Sequence, residues 1–326
     1  MSTSNSWDSS ATALDIITTA LEDIGKLGEG EVISVLAKAT MLRRLNYLAK
    51  QWQGRADFAP GLKVSTRQRV TLFLAKNQSV YTIGPAATDS RATTSYGRTT
   101  ISTAEAIGQT TISITSNTDV LTSPDVMVTM AAADIVGIEL DDGTLQWTTI
   151  SGTPASTMDI AVALTGAAAA GNYVYWFTVR AQHFPVIEYA ALRDEDGNDL
   201  PIDVLRTVQS YEASGNKNGT GDPASILVEP LALSTRITLD TLPQDVTKQL
   251  RLTVLYPAED YDAVTDDIAF PQEWYAPLAA ELGKRSCGAY GATWTQTMEE
   301  NRKESLAIAR SVNPEVSNAF FETGGL

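Results

Sequence analysis

The spacing of apolar residues changes twice along this chain, and that change limits the folds open to it. Before about residue 60 and after about residue 260, apolar side chains recur every three or four positions, the period of a helix with one covered face. From about Val70 to Tyr256 they recur every second position, and Thr, Gly, Ser and Asn become frequent, as in strands. The order is helix-helix, long strand region, helix-helix. Neither helical pair has an obvious apolar partner except the other, so the simplest fold packs the first and last segments together. The expected class is α+β: an antiparallel α-helical bundle formed by the N- and C-terminal helices, a large inserted antiparallel β domain, and an extended C-terminal tail. The boundaries follow as 1–69 for the N-terminal helical hairpin, 70–256 for the β insertion, 257–312 for the C-terminal helices and 313–326 for the tail.

Local signals set the elements. Thr12-x-x-Asp15 reads as a capping box, Leu14, Ile17, Leu21 and Ile24 follow at helical spacing, and Gly25 stands where a C-terminal cap belongs. A second helix runs from about Glu31 to Gln53, with Val35, Ala39, Leu42, Leu45, Ala49 and Trp52 on one face and Gly54 ending it. Pro271 suits a first helical turn, and Trp274, Leu278 and Leu282 follow at steps of four. Pro277 lacks a backbone donor, so this helix starts late or bends there. A last helix spans about Thr293 to Val312, with Trp294, Met298 and Leu306 inward and a Glu299–Lys303 pair outward, until Asn313-Pro314 stops it. In the β region "TTISIT" and "LRLTVLY" alternate, "YVYWFTV" reads as a strand buried on both faces, and "SGNKNGTGDP" as an exposed loop. A two-residue Asp142-Gly143 turn would pair Ile138 with Trp147 and Leu140 with Leu145, all four on one face.

Charge and rare residues exclude several chemistries. The chain has 24 basic and 39 acidic side chains, and the acidity is concentrated in 61–267, with 13 basic against 25 acidic. A groove that grips phosphates needs clustered Lys and Arg, so sequence-specific DNA binding is disfavoured, whereas an acidic wall lets DNA pass without sticking. One cysteine, Cys287, and one histidine, His183, exclude a disulfide framework, a cysteine zinc cluster and any two-histidine metal site. Cys287 reads as a small buried hydrophobe, and His183 as a surface or edge-strand residue without a nucleophile elbow nearby. "GKLGEGE" and "GNKNGTG" lack the Gly-Lys-Ser/Thr of a phosphate loop and read as linkers. Asp196-Gly197 in "RDEDGND" reads as a hairpin turn rather than a calcium loop. "EDYDAVTDD", from Glu259 to Asp267, reads as an acidic linker whose last members sit near a helix N-terminus rather than as a metal site or glycosidase pair. No catalytic residue, metal ligand or cofactor is assigned, and no enzymatic activity is expected. No run of 18 apolar residues exists and "MSTSNSWDSS" has neither basic nor apolar character, so neither membrane span nor signal peptide is expected. The tail "EVSNAFFETGGL" carries two adjacent Phe residues, which suit neither a core helix nor a soluble end.

Several stretches, in this order and spacing, resemble the head-to-tail adaptor proteins of short-tailed bacteriophages, also called tail accessory factors or packaged-DNA stabilisation proteins. They are "ALDIITTALEDIGKLGEGE", "LNYLAKQW", "QSVYTIGP" and the Asp-Asp followed by Pro-x-x-Trp of "DDIAFPQEWYAPLAAELG". "GIELDDGTLQWTTI" and "AAAAGNYVYWFTVR" are similar to segments of the longer members. The resemblance implies a virion protein at the head–tail junction, assembled in the host cytoplasm as a homo-oligomeric ring of twelve copies. Its implied partners are the portal protein above, a tail nozzle or other tail protein below, and double-stranded DNA in the channel, with no membrane. By the same resemblance Trp52, Trp274, Leu278 and Leu282 are helical-core positions, and the helical spacing above adds Leu21 and Leu42. The tail from Pro314, with Phe320, Phe321 and Leu326, is the portal-binding segment. Two other readings fit the residues less fully: a virion-associated carboxylate glycosidase acting on cell walls, and a tail-fibre or carbohydrate-binding module resting on the β region.

Overall fold

The structure is a computed structural model, and it describes residues 10–28, 30–54, 67–84, 87, 90–119, 128–213, 215, 217–257 and 259–311. Among these residues five α-helices form: α1 (Ala13–Asp23), α2 (Val35–Gly54), α3 (Val208–Glu212), α4 (Tyr275–Tyr290) and α5 (Gln296–Ser311). The strands are β1 (Arg67–Phe73), β2 (Val80–Ile83), β3 (Ala92–Thr93), β4 (Gly97–Thr100), β5 (Thr111–Ser113), β6 (Thr118–Asp119), β7 (Val128–Thr129) and β8 (Ile135–Glu139). They continue with β9 (Leu145–Thr149), β10 (Thr157–Asp159), β11 (Tyr173–Phe177), β12 (Val186–Arg193), β13 (Asp199–Leu205), β14 (Ser225–Pro230), β15 (Thr235–Leu239) and β16 (Gln249–Leu255). With few helices and a large sheet, the chain is α+β. It divides into two compact units, Met1–Thr66 with Pro257–Leu326, and Arg67–Tyr256.

In the first unit the local signals act where they stand. The Thr12 hydroxyl accepts from Asp15 N at 3.3 Å while Asp15 Oδ2 accepts from Thr12 N at 2.9 Å, a closed capping box. Gly25 follows the last turn at φ +66°, the left-handed conformation that glycine adopts without strain. α2 begins four residues later than its apolar pattern suggests, at Val35, where the Ser34 hydroxyl accepts from Ala37 N. Pro277 falls in the first turn of α4, where its missing donor is not needed, and a single 3₁₀ turn at Gln272–Trp274 leads into it. The helix therefore starts late rather than bending.

The second unit holds two principal sheets, and one is nested inside the other. An eight-stranded sheet has the order β2-β15-β14-β13-β12-β16-β1-β3. Between β3 and β12 the chain leaves it to build a four-stranded sheet, β4-β11-β8-β9, with the small pairs β5-β10 and β6-β7. The β region is not wholly antiparallel, because β13 and β14 run parallel, with Asp203 opposite Ser225. A parallel pair needs a crossover of about a dozen residues or more, and residues 206–224, including α3, supply it.

The β8–β9 hairpin corrects the expected register. Gly137 lies opposite Trp147 and Ile138 opposite Gln146, because the loop has three residues, Asp141, Asp142 and Gly143, rather than two. Leu140 donates its N–H to Thr144 O at 2.9 Å, and Gly143 turns at φ +73°. One residue of slip moves a strand's side chains to the opposite face. Val136, Ile138 and Leu140 join one apolar cluster of the smaller sheet, while Leu145 and Trp147 pack on the other side with Phe73, Tyr96, Ile135, Tyr175 and Phe177. "YVYWFTV" fills both sides as expected, with Trp176 in the first cluster and Tyr175 and Phe177 in the second.

Candidate functional site

α1, α2, α4 and α5 contribute side chains to one hydrophobic cluster. Leu21, Trp52, Trp274, Leu278 and Leu282 are buried in it, and Leu42 packs against its margin half-buried. Trp52 and Trp274, 222 positions apart in the sequence, meet edge to face with ring centroids 5.7 Å apart. At Gly283 a Cβ would lie 3.0 Å from Ala20 O and 3.3 Å from the Ile24 side chain, so glycine sets how closely α4 and α1 approach. The buried face of α2 keeps Leu45, Ala49 and Trp52 of the expected stripe and adds Met41 and Leu48, whereas Val35 and Ala39 are exposed. Met41 and Leu48 each stand one position from that stripe, next to Leu42 and Ala49. Val35 is exposed, and with Val32 and Leu36 it forms an apolar patch of side chains 78–87% accessible at the start of α2.

The acidic segment before α4 has a structural task. Val264 O accepts from Leu14 N at 2.7 Å and Asp266 O accepts from Ala13 N at 2.8 Å, satisfying two N–H groups that the first turn of α1 leaves unpaired. The Asp266 carboxylate accepts from the N–H groups of Asp262 and Ala263, both at 2.8 Å, which fixes the loop that presents those carbonyls. The helix N-terminus they serve is therefore α1, not the downstream helix. Asn46 clamps the same segment to α2 through a reciprocal pair, its amide donating to Tyr261 O and its carbonyl accepting from Tyr261 N, both at 2.9 Å.

Glu299 also departs from expectation. It turns toward α4, not outward to Lys303, accepting from Lys284 Nζ at 2.7 Å, Trp294 Nε1 at 3.0 Å and Arg302 at 2.7 Å. Arg302 in turn reaches Glu281 at 2.9 Å, so the network ties α4 to α5. The Arg302 and Lys284 charges and the indole donor hold the Glu299 carboxyl well below the usual carboxylate range. A depressed folded-state pKa gives stability that is present above the unfolded value of about 4.3 and lost as pH falls toward the folded one. In acid titrations followed by helical circular dichroism, Glu299→Gln is expected to lower stability at neutral pH and to flatten the decline below about pH 4.3. An unchanged slope would show that the network carries no pH-linked stability.

His183 lies half-buried in the connection before β12. Cys287 is buried on α4, where burial raises its thiol pKa. Asp196-Gly197 closes the β12–β13 hairpin, with Gly197 at φ +87° and its N–H donated to Asp194 O. Among the described residues no group of three or more His, Cys, Asp or Glu is placed to hold a metal ion, and no helix is long and apolar enough to cross a membrane. Pro314, Phe320, Phe321 and Leu326 lie outside the described residues. No family model matches the chain, and no curated protein matches it.

Proposed function

We propose that this chain is a subunit of a head-to-tail adaptor ring in a short-tailed bacteriophage virion. The observation that carries the reading is the single apolar cluster built by helices from both ends of the sequence around a β excursion of about 190 residues. In this reading α1, α2, α4 and α5 form an antiparallel bundle that stacks against its neighbours in a closed ring of twelve. A ring needs a head-to-tail contact that closes on itself. The patch of Val32, Val35 and Leu36 supports such a contact, since apolar side chains this accessible gain by burial against a second subunit. The acidic balance of 61–267 supports a wall along which DNA slides unbound toward a tail nozzle. The segment after Asn313 reaches the portal, with Phe320 and Phe321 as aromatic anchors.

The test is a truncation ending at Asn313, mixed with purified portal rings and examined by sedimentation and electron microscopy. The full chain is expected to decorate the portal as a second ring and the truncated chain to remain unbound. Binding of the truncated chain at unchanged affinity would remove the assigned role of the tail, and failure of the full chain to bind would remove the adaptor reading.

A further inference from the structure

The strand alternation places Arg69, Arg193 and Arg251 on the same face of the larger sheet, opposite the apolar cluster formed by Val70, Leu72, Leu192, Leu250 and Leu252. Arg251 on β16 lies opposite Thr71 and Ala191, Arg69 opposite Thr253, and Arg193 opposite Gln249. Arg251 is thus the diagonal neighbour of both other arginines, at the roughly 7–8 Å spacing of such positions. The three line a cavity of about 190 Å³ together with Tyr189, Asp199 and Thr253.

Only one of these guanidinium groups is matched by a carboxylate. Arg193 grips Asp199 with two contacts, at 2.7 and 2.6 Å. Among the described residues neither Arg69 nor Arg251 forms an ion pair. Arg251 is half-buried and faces the Tyr96 hydroxyl, and burial with the Arg193 charge lowers its pKa more than Tyr96 and the Asp199 carboxylate raise it. A half-buried Arg251 without an ion pair opposes folding, and a neutral side chain there would cover the sheet without that cost. The arrangement is also out of keeping with its surroundings, where acids outnumber bases about two to one. Three arginines and one aspartate leave the cavity with a formal charge of +2, which matches a dianion.

We propose that this cavity binds a phosphate-class dianion, free phosphate or a phosphomonoester. Arg69 and Arg251 are its cationic donors, Tyr189 and Thr253 contribute hydroxyls, and the Arg193–Asp199 pair forms the wall. Guanidinium groups suit a tetrahedral oxyanion because their forked donors match pairs of its oxygens. A phosphodiester carries one charge per phosphate and leaves a positive charge unmatched, so this site differs in kind from a DNA-gripping groove. It does not rest on the adaptor reading.

Calorimetric titration of the full chain with inorganic phosphate, glycerol 3-phosphate, dimethyl phosphate and duplex DNA tests it. One phosphate or glycerol 3-phosphate per chain is expected, with dimethyl phosphate about tenfold weaker or more. Arg69→Gln and Arg251→Gln are each expected to weaken dianion binding about tenfold or more, the loss of one charge-assisted contact. Arg236→Gln, which alters an arginine beside Glu229 on another strand, should change nothing. The Arg69 side chain is exposed, so its variant keeps the test decisive if Arg251→Gln fails to fold. The proposal is overturned if neither dianion saturates at millimolar concentration. Binding that survives both substitutions, or diester or DNA binding as tight as that of the dianions, overturns it equally.

Discussion

Replacing Trp274 with alanine is expected to destabilise the helical unit by about 3–5 kcal/mol, the usual cost of removing a large buried aromatic. The side chain is 2% exposed and sits where three segments meet: the 3₁₀ turn that it ends, α2 through Trp52, and the apolar steps of α4 at Leu278 and Leu282. Two contributions add. Removal of the indole leaves a void that helices pinned by Gly283 against α1 close poorly, and Trp52 loses its edge-to-face partner, worth about 0.5–1.5 kcal/mol by itself. A double-mutant cycle of Trp52→Leu and Trp274→Leu, followed by urea denaturation at a helical wavelength, separates the two. Coupling within error of zero would mean that the rings touch without energetic consequence. A loss of less than about 1 kcal/mol in Trp274→Ala would mean that the helices from the two ends of the chain do not depend on one another. The same variant probes the proposed bundle, because Trp274 joins the C-terminal helices to the N-terminal pair.

What the sequence made legible is what local chemistry decides. Thr12 and Asp15 cap α1 because both partners lie within one turn, and Gly25 ends it because no other residue turns there without strain. The alternation of Leu250, Leu252 and Val254 shows through because one face of β16 is covered along its length. The missed features depend on partners far along the chain. The Asp141 carboxylate accepts from Ala169 N at 2.7 Å and from the Asn172 amide at 3.0 Å, which holds Asp141 in the loop and makes the β8–β9 turn three residues long. Nothing in "LDDGTL" announces that. Glu299 has Lys303 four residues away, but the indole of Trp294 and the charges of Lys284 and Arg302 converge on its inner side. The three arginines of the proposed anion site come from β1, β12 and β16, and the charge total hid them because acids dominate the same stretch. Pro314, Phe320, Phe321 and Leu326, the proposed portal-binding positions, lie outside the described residues.

The largest effect in the β unit is expected at Gly97. This glycine lies directly opposite Trp176 across the β4–β11 pair, and a Cβ there would sit 2.1 Å from Trp176 Cζ2. The indole is fully buried among Ile138, Val174 and their neighbours, and among the described residues its buried N–H has no hydrogen-bond partner, so shape alone fixes the ring. The same device recurs on the opposite face, where Trp147 covers Gly137 at 2.7 Å from the corresponding Cβ position. An aromatic ring laid over a strand glycine supplies the contact that the glycine lacks, and it makes the glycine irreplaceable. Gly97→Ala therefore forces Trp176 out of its place or parts the strands, and overpacking of this severity is expected to cost about 3 kcal/mol or more. The expected signs are a red-shifted tryptophan emission and protease cleavage within residues 94–178, with the α-helical signal retained. Trimming the ring in Gly97→Ala/Trp176→Leu should recover part of the loss, giving a coupling energy of opposite sign to the two single costs. If Gly97→Ala melts as the parent does, or if the double variant is as unstable as the sum of its parts, ring-over-glycine packing is not what holds the smaller sheet together.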